Sequence, residues 1–142
     1  MERVVKMTNK EIDDTLMLLN VMMQQIDKGE IIVDDPKFAY VLGRNLRILK
    51  TENVEYIDAK NEAMRRYGEY YENETEGTGY RINLKDAEQV KAFQDRVKEV
   101  SNIQHDITVF AVPMSVITGW NLPFSYRTAL WFLVEEGDEL FQ

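Results

Sequence analysis

The sequence predicts one α+β domain over residues 1–142, mainly helical, with a long antiparallel helical hairpin and a small β-sheet or β-hairpin. Two long segments in which apolar residues recur every three or four positions predict the helices. The β-branched and aromatic run IQHDITVFAV at 103–112 predicts a strand. A hydrophobic content of 44% over 142 residues is enough to bury one core without disulfides or metal.

The first two elements are a strand and a helix. Residues 3–7 are expected to form a short strand. Thr8 and Glu11 then form a T-x-x-E capping box directly before a run of periodic apolar residues. Gly29 stands where a helix is expected to stop. The first helix is therefore expected at about 9–28.

The apolar stripe of this first helix is broader than a single seam. Beyond the residues at spacings of three and four, it is widened by Leu18, Val21 and Met22. A stripe of this width is typical of a helix that is covered on two sides. The second cover is either another layer of the same chain or a second copy, which would make the protein a homo-oligomer through residues 9–28.

The second helix is expected to be unusually long. EIIV at 30–33 is β-branched and expected to be extended, and Asp35 followed by Pro36 supplies an N-cap and a proline at the first helical position. The apolar pattern then runs over 36–67, whereas an average helix has about 11–12 residues. The segment therefore either bends near 51–54 or forms one arm of a long helical hairpin.

The return arm follows a glycine-containing turn. Gly68 is expected to end the second helix, and ETEGTG at 74–79 to turn the chain back. The third helix is expected from about Leu84, with Asn83 as its candidate N-cap. Its seam consists of Val90, Phe93, Val97 and Val100. This seam would pair with the second half of the preceding helix as an antiparallel arm.

The C-terminal part is expected to contain one more helix. That helix is placed at about 123–135, after the turn GWNLP. The acidic tail at 136–142 is expected to fray.

Composition excludes several classes of function. The net charge of −8 disfavours nonspecific binding to nucleic acid or to an anionic membrane, and it suits a protein partner with a basic surface. The absence of cysteine excludes disulfides, thiolate catalysis and cysteine-ligated metal. No leader peptide and no membrane-spanning segment is expected, which favours the cytoplasm of the cell that makes the protein.

No motif predicts catalysis, a cofactor or a metal. His105 is the only histidine, and no nucleophile-elbow pattern accompanies it, so His105 and Asp106 are read as a half-exposed polar pair. EGTG at 76–79 lacks the spacing of a phosphate-binding loop, and the neighbouring glutamates would repel phosphate. Their spacing does not reproduce an EF-hand loop either, so at most a weak calcium site is expected.

The candidate contact residues are aromatic and acidic. They are Tyr70, Tyr71, Glu72, Glu74, Glu76, Tyr80 and Trp120. Aromatic side chains bury much area at low entropic cost and are enriched at interfaces, although they are also ordinary core residues. If residues 70 and 71 lie in a hairpin, alternation would expose one tyrosine and bury the other.

A basic stretch on the second helix allows two interpretations. Arg44, Arg47 and Lys50 are followed further on by Arg65 and Arg66. They form either a solvated face paired with neighbouring acidic residues or a local site for an anion or nucleic acid.

The order of these elements carries a family resemblance. It rests on MTNKEI opening the first helix, GRNLRILK early in the second, RRYGE at its end, IQHDITVFAV, and LPFSYRTALWFLVEE near the C-terminus. In this pattern the chain resembles a family of small proteins from phages and prophages of Gram-positive bacteria, catalogued as a domain of unknown function. It departs from the pattern in the longer acidic loop at 69–79 and in the acidic tail.

The resemblance implies a viral origin and offers no catalytic residues to transfer. We therefore expect a non-enzymatic interaction protein in the host cytoplasm, such as an inhibitor of a host defence system of the anti-CRISPR kind. The alternative is a small virion-assembly or tail-associated protein.

Overall fold

The computed structural model describes residues 1–33, 35–116, 122 and 124–135. Its elements are β1 (Glu2–Thr8), α1 (Asn9–Asp27), α2 (Pro36–Tyr67), β2 (Glu69–Asn73), β3 (Gly77–Arg81), α3 (Ala87–Ser101), β4 (Gln104–Phe110) and α4 (Phe124–Ala129), with 3-10 turns at Met114–Val116 and Trp131–Leu133. Three long helices and two small antiparallel sheets confirm the prediction of a mainly helical α+β fold.

The chain forms two compact units. Unit 1 comprises Met1–Glu52 and Gln104–Gln142, and unit 2 comprises Asn53–Ile103. The boundary falls inside α2, whose helical conformation continues without a break through 51–54. The expectation of a single domain stays a prediction, and the predicted fraying of 136–142 concerns residues outside the described ranges.

In unit 1, the two predicted strands are confirmed and pair with each other. β1 runs antiparallel to β4, with Val5 opposite Ile107 and Met7 opposite His105. Val5, Met7 and Ile107 are buried, whereas Lys6 between them is exposed. This alternation follows from the two-residue period of a strand that packs one face on a core.

The capping box at the start of α1 is formed as expected. The Glu11 backbone N–H donates to Thr8 Oγ1 at 3.1 Å, and the Thr8 N–H donates to Glu11 Oε1 at 3.3 Å. The helix buries Ile12, Leu16, Leu19 and Met22. Of the residues that widen its stripe, Met22 is therefore enclosed, Leu18 packs against the core and Val21 is exposed.

The predicted last helix is shorter than expected. α4 ends at Ala129, and a 3-10 turn replaces the continuation to 135. The reason lies in the backbone hydrogen bonds that follow. Val112 N–H donates to the Leu133 carbonyl at 2.7 Å, and Glu135 N–H donates to the Val112 carbonyl at 3.0 Å. These bonds draw the chain into a parallel bridge between Val112 and Val134, which an α-helix could not form.

α2 starts where the sequence predicts. Asp35 Oδ1 accepts hydrogen bonds from the N–H groups of Lys37 at 2.8 Å and Phe38 at 3.4 Å, so Asp35 caps the helix that opens at Pro36. The preceding residues 30–33 join no strand. The N–H groups of Glu30 and Ile31 instead donate to the Gln25 carbonyl of α1, at 2.9 and 3.3 Å.

In unit 2, the second half of α2 and α3 form the predicted antiparallel arm. Arg96 of α3 lies 3.5 Å from Glu62 of α2. Nearer the start of α3, Gln89 Nε2 donates at 3.4 Å to the carboxylate of Glu69, the first residue of β2. Because positions rise along one partner as they fall along the other, the two segments run in opposite directions.

The predicted start of α3 was wrong by three residues. The helix begins at Ala87, and its N-cap is Asp86, whose Oδ1 accepts from the Gln89 N–H at 3.2 Å. Asn83 has the right chemistry for an N-cap, but its Oδ1 accepts from the N–H of Lys85 at 3.0 Å and closes a local turn. Leu84 is consequently outside the helix and exposed.

Candidate interaction surface on the hairpin

Gly68 separates α2 from the β2–β3 hairpin for a steric reason. Its N–H donates to the Met64 carbonyl at 2.8 Å, which closes the last turn of the helix. A Cβ at this position would overlap the Met64 carbonyl oxygen and lie 3.0 Å from the Arg81 carbonyl oxygen. Only a residue without a Cβ fits between these two carbonyls, so glycine stands where α2 ends and β2 begins.

The hairpin turn is built by one side chain and one glycine. Asn73 Oδ1 accepts hydrogen bonds from the N–H of Thr75 at 2.8 Å, from its hydroxyl at 2.6 Å and from the Glu76 N–H at 3.4 Å. Gly77 then adopts a φ of +83°, which suits a residue without a Cβ. A three-residue loop followed by such a glycine is a common hairpin connection. The predicted turn is therefore present but shorter than expected: it occupies 74–76, and residues 77–79 belong to β3.

The strand register sorts the three predicted tyrosines onto two faces. Tyr70 is opposite Tyr80, and their rings meet edge to face with centroids 5.6 Å apart. Tyr71 is opposite Gly79 on the other face, half-buried, with the Arg81 guanidinium 4.8 Å from its ring centroid. The structure thus brings together Tyr70 and Tyr80 and separates Tyr71 from them.

The three predicted glutamates are all exposed at or next to the turn. Glu72 shares the face of Tyr70, while Glu74 and Glu76 lie in the loop. Arg81 is 3.5 Å from Glu76, and no ion pair between described residues involves Glu72 or Glu74. Within the ranges that the structure covers, no group of three or more His, Asp or Glu side chains is gathered in a way that could hold a metal ion.

The end of α2 contributes two residues that the sequence did not single out, Asn61 and Met64, and one from the basic stretch, Arg65. Tyr80 lines a shallow cleft of about 290 Å³ together with Asn61, Met64 and Arg65 of α2. The three helix residues share one face because they are spaced by three and four positions. The surface next to Tyr80 therefore includes a cation, Arg65.

The remaining predicted residues lie elsewhere. Trp120 is outside the described residues. His105 is half-buried in β4, and its Nε2 donates to Oδ1 of Asn9 at 2.9 Å, which ties the strand to the first residue of α1. Asp106, the other half of the predicted pair, is exposed. This histidine therefore has a structural hydrogen bond that joins two elements of unit 1.

Among the described helices, none combines the length and the apolar character that crossing a membrane requires. Comparisons of this chain with family models, with curated proteins and with solved structures each returned no match.

Proposed function

We propose that this chain is a non-enzymatic interaction protein of phage origin, which binds a protein partner with a basic surface through the β2–β3 hairpin. The observation that carries the proposal is the exposed tyrosine pair. Tyr70 is 60% exposed and Tyr80 is 42% exposed, although they are large aromatic residues. A partner that covered both rings would gain apolar burial with little loss of side-chain entropy.

The charge of the hairpin supports a basic partner. Glu72 and Glu74 are exposed carboxylates without an ion pair among the described residues, and Glu76 is only loosely paired with Arg81 at 3.5 Å. Exposed charges of one sign accelerate the encounter with a surface of the opposite sign and contribute to specificity.

Within this class, we propose inhibition of a host defence system, of the anti-CRISPR kind. The resemblance to phage proteins supports this assignment. The chemistry supports it as well, because carboxylates on an exposed turn can compete with nucleic-acid phosphates for the same lysine and arginine side chains.

The test is a binding experiment with matched charge reversals. The hairpin variant carries Glu72→Lys, Glu74→Lys and Glu76→Lys. The control carries Glu55→Lys, Asp58→Lys and Asp95→Lys, which reverse three exposed carboxylates on the helices of unit 2. Because both variants change the net charge equally, any difference in partner recovery from host lysate reports the position of the charge.

We expect the wild type and the control to recover the same partner, and the hairpin variant to recover at least tenfold less, on the order of 1.4 kcal/mol. Tyr70→Ser combined with Tyr80→Ser is expected to reduce recovery similarly. Equal recovery by the wild type and both hairpin variants would contradict the proposal.

The second candidate is a virion-assembly or tail-associated protein that self-associates through α1. Met17 is 64% exposed and Val21 is 46% exposed, one turn apart on that helix. Light scattering separates the two functions. A strict monomer at high concentration opposes assembly through α1, whereas a dimer that Met17→Lys dissociates would support it.

A further inference from the structure

The outer face of α2 in unit 1 carries a second candidate site, unrelated to the hairpin. A cleft of about 440 Å³ is lined by Tyr40, Arg44, Arg47, Ile48 and Thr51. These residues recur at the spacings that place side chains on one face of a helix. The lining includes two guanidinium groups and a phenol, and it contains no carboxylate.

Arg44 makes two contacts with neutral groups, and neither contact compensates its charge. Its guanidinium lies 4.1 Å from the centroid of the Phe110 ring, and its Nη1 donates to the Tyr40 hydroxyl at 3.3 Å. An arginine stacked on an aromatic face keeps its charge and loses conformational freedom. Arg44 is thus oriented by a neutral ring and a neutral hydroxyl.

The backbone that carries the Phe110 ring is in turn held by a buried amide. Asn45 Nδ2 donates to the Phe110 carbonyl at 2.7 Å, and the Phe110 N–H donates to Asn45 Oδ1 at 2.9 Å. Asn45 is fully buried, so this pair of hydrogen bonds is shielded from water. Asn45 thus contacts Phe110, and Phe110 contacts Arg44, so a buried position of α2 is linked to the cleft.

The electrostatics of the cleft differ from those of the chain as a whole. The protein has 25 acidic and 17 basic residues, yet no ion pair between described residues involves Arg44 or Arg47. Both arginines are exposed, as the first interpretation of this basic stretch expects, but neither is paired with an acid in the described part of the chain. The alternative, a local anion site, accounts for the arrangement.

The geometry points to a small-molecule site that binds a phosphate monoester carrying an aromatic ring, such as a mononucleotide, through Arg44 and Arg47, with the ring stacked on Tyr40. Guanidinium groups match phosphate oxygens in a two-pronged geometry. Tyr40 is 62% exposed and offers a free ring face. The cleft is shallow and open to solvent, so the ligand would lie against the helix face rather than inside an enclosed pocket.

The net charge of −8 favours a small ligand over a long polyanion. A single phosphate group is attracted by the two arginines, whereas an extended nucleic acid would also approach the acidic remainder of the surface.

The experiment is a two-dimensional NMR titration of the full chain with adenosine monophosphate. Inorganic phosphate and adenosine, titrated separately, test the anion and the ring. We expect shifts to concentrate on the backbone amides of residues 40–51, with adenosine monophosphate binding at least tenfold more tightly than either fragment. Because this mapping uses the unmutated protein, it does not depend on the folding of any variant.

Variants then assign the contacts. Arg44→Gln and Arg47→Gln are each expected to weaken binding at least tenfold, and Arg47→Lys to restore only part of the loss, since a lysine lacks the fork. Arg66→Gln, an exposed arginine near the end of α2 in unit 2, is the control and is expected to bind as the wild type does.

Three results would overturn the inference. They are shifts that fall outside residues 40–51, affinity unchanged by Arg44→Gln, and adenosine monophosphate binding no more tightly than inorganic phosphate.

Discussion

The two units of this protein bury their apolar residues to different degrees. The hydrophobic core cluster among the described residues belongs wholly to unit 1 and encloses Phe38, Leu49 and Phe132 completely. In the described unit 2, the buried apolar side chains are Tyr56 and Ala63, and the seam of α3 is only half-buried. Unit 1 is therefore stabilised chiefly by burial, whereas unit 2 keeps much of its apolar surface available for contact.

The largest expected effect compares two phenylalanines. Phe38→Ala in unit 1 is expected to lower the free energy of unfolding by about 3–5 kcal/mol, because it removes a fully buried ring and leaves a cavity. Phe93→Ala in α3 is expected to cost about 1–2 kcal/mol, since that ring is already half-exposed. Urea denaturation followed by circular dichroism measures both variants. Equal decreases in the free energy of unfolding would contradict the expected difference between the two units.

A middle-sized effect compares two asparagines of α2. Asn45→Ala is expected to cost about 2–3 kcal/mol, because it leaves the Phe110 N–H and carbonyl without their buried partner. Asn61→Ala, at an exposed position in unit 2, is expected to change stability by less than about 0.5 kcal/mol. The same denaturation experiment measures both variants. If Asn61→Ala lowered the free energy of unfolding as much as Asn45→Ala, burial of the asparagine would not explain the cost.

The smallest effect compares two helix caps. Thr8→Ala removes the capping box of α1, and Asp86→Ala removes the single cap of α3, each at a cost of about 1 kcal/mol. Amide hydrogen exchange distinguishes their consequences. Asp86→Ala is expected to accelerate exchange within residues 87–101 and to leave β1 and β4 unchanged. Faster exchange in β1 and β4 would show that the two units open together.

Local sequence signals predicted the elements well. The capping box at Thr8, the Asp35–Pro36 start of α2 and the stop at Gly68 all depend on residues a few positions apart, and each is formed as expected. The start of α3 was misplaced because Asn83 and Asp86 have similar capping chemistry. Only the hydrogen bonds at 83–85 and 86–89 distinguish a turn from a helix.

Features that depend on contacts between distant residues could not be predicted from the sequence. The separation of Tyr71 from Tyr70 and Tyr80 depends on the strand register, which fixes the faces. The alternation expected for residues 70 and 71 gave one exposed and one half-buried tyrosine. The path from Asn45 through Phe110 to Arg44 joins residues about 65 positions apart, and no local pattern indicates it.

The pairing of β1 with β4 has a consequence for biosynthesis. Val5 and Ile107 are register partners, so a ribosome must add 102 residues after Val5 before the two can meet. At about 5–20 residues per second, β1 waits about 5–20 s for its neighbour. Lys6, which is exposed between Val5 and Met7, places a charge on β1 while the strand is unpaired. This charge disfavours pairing of the nascent strand with another polypeptide.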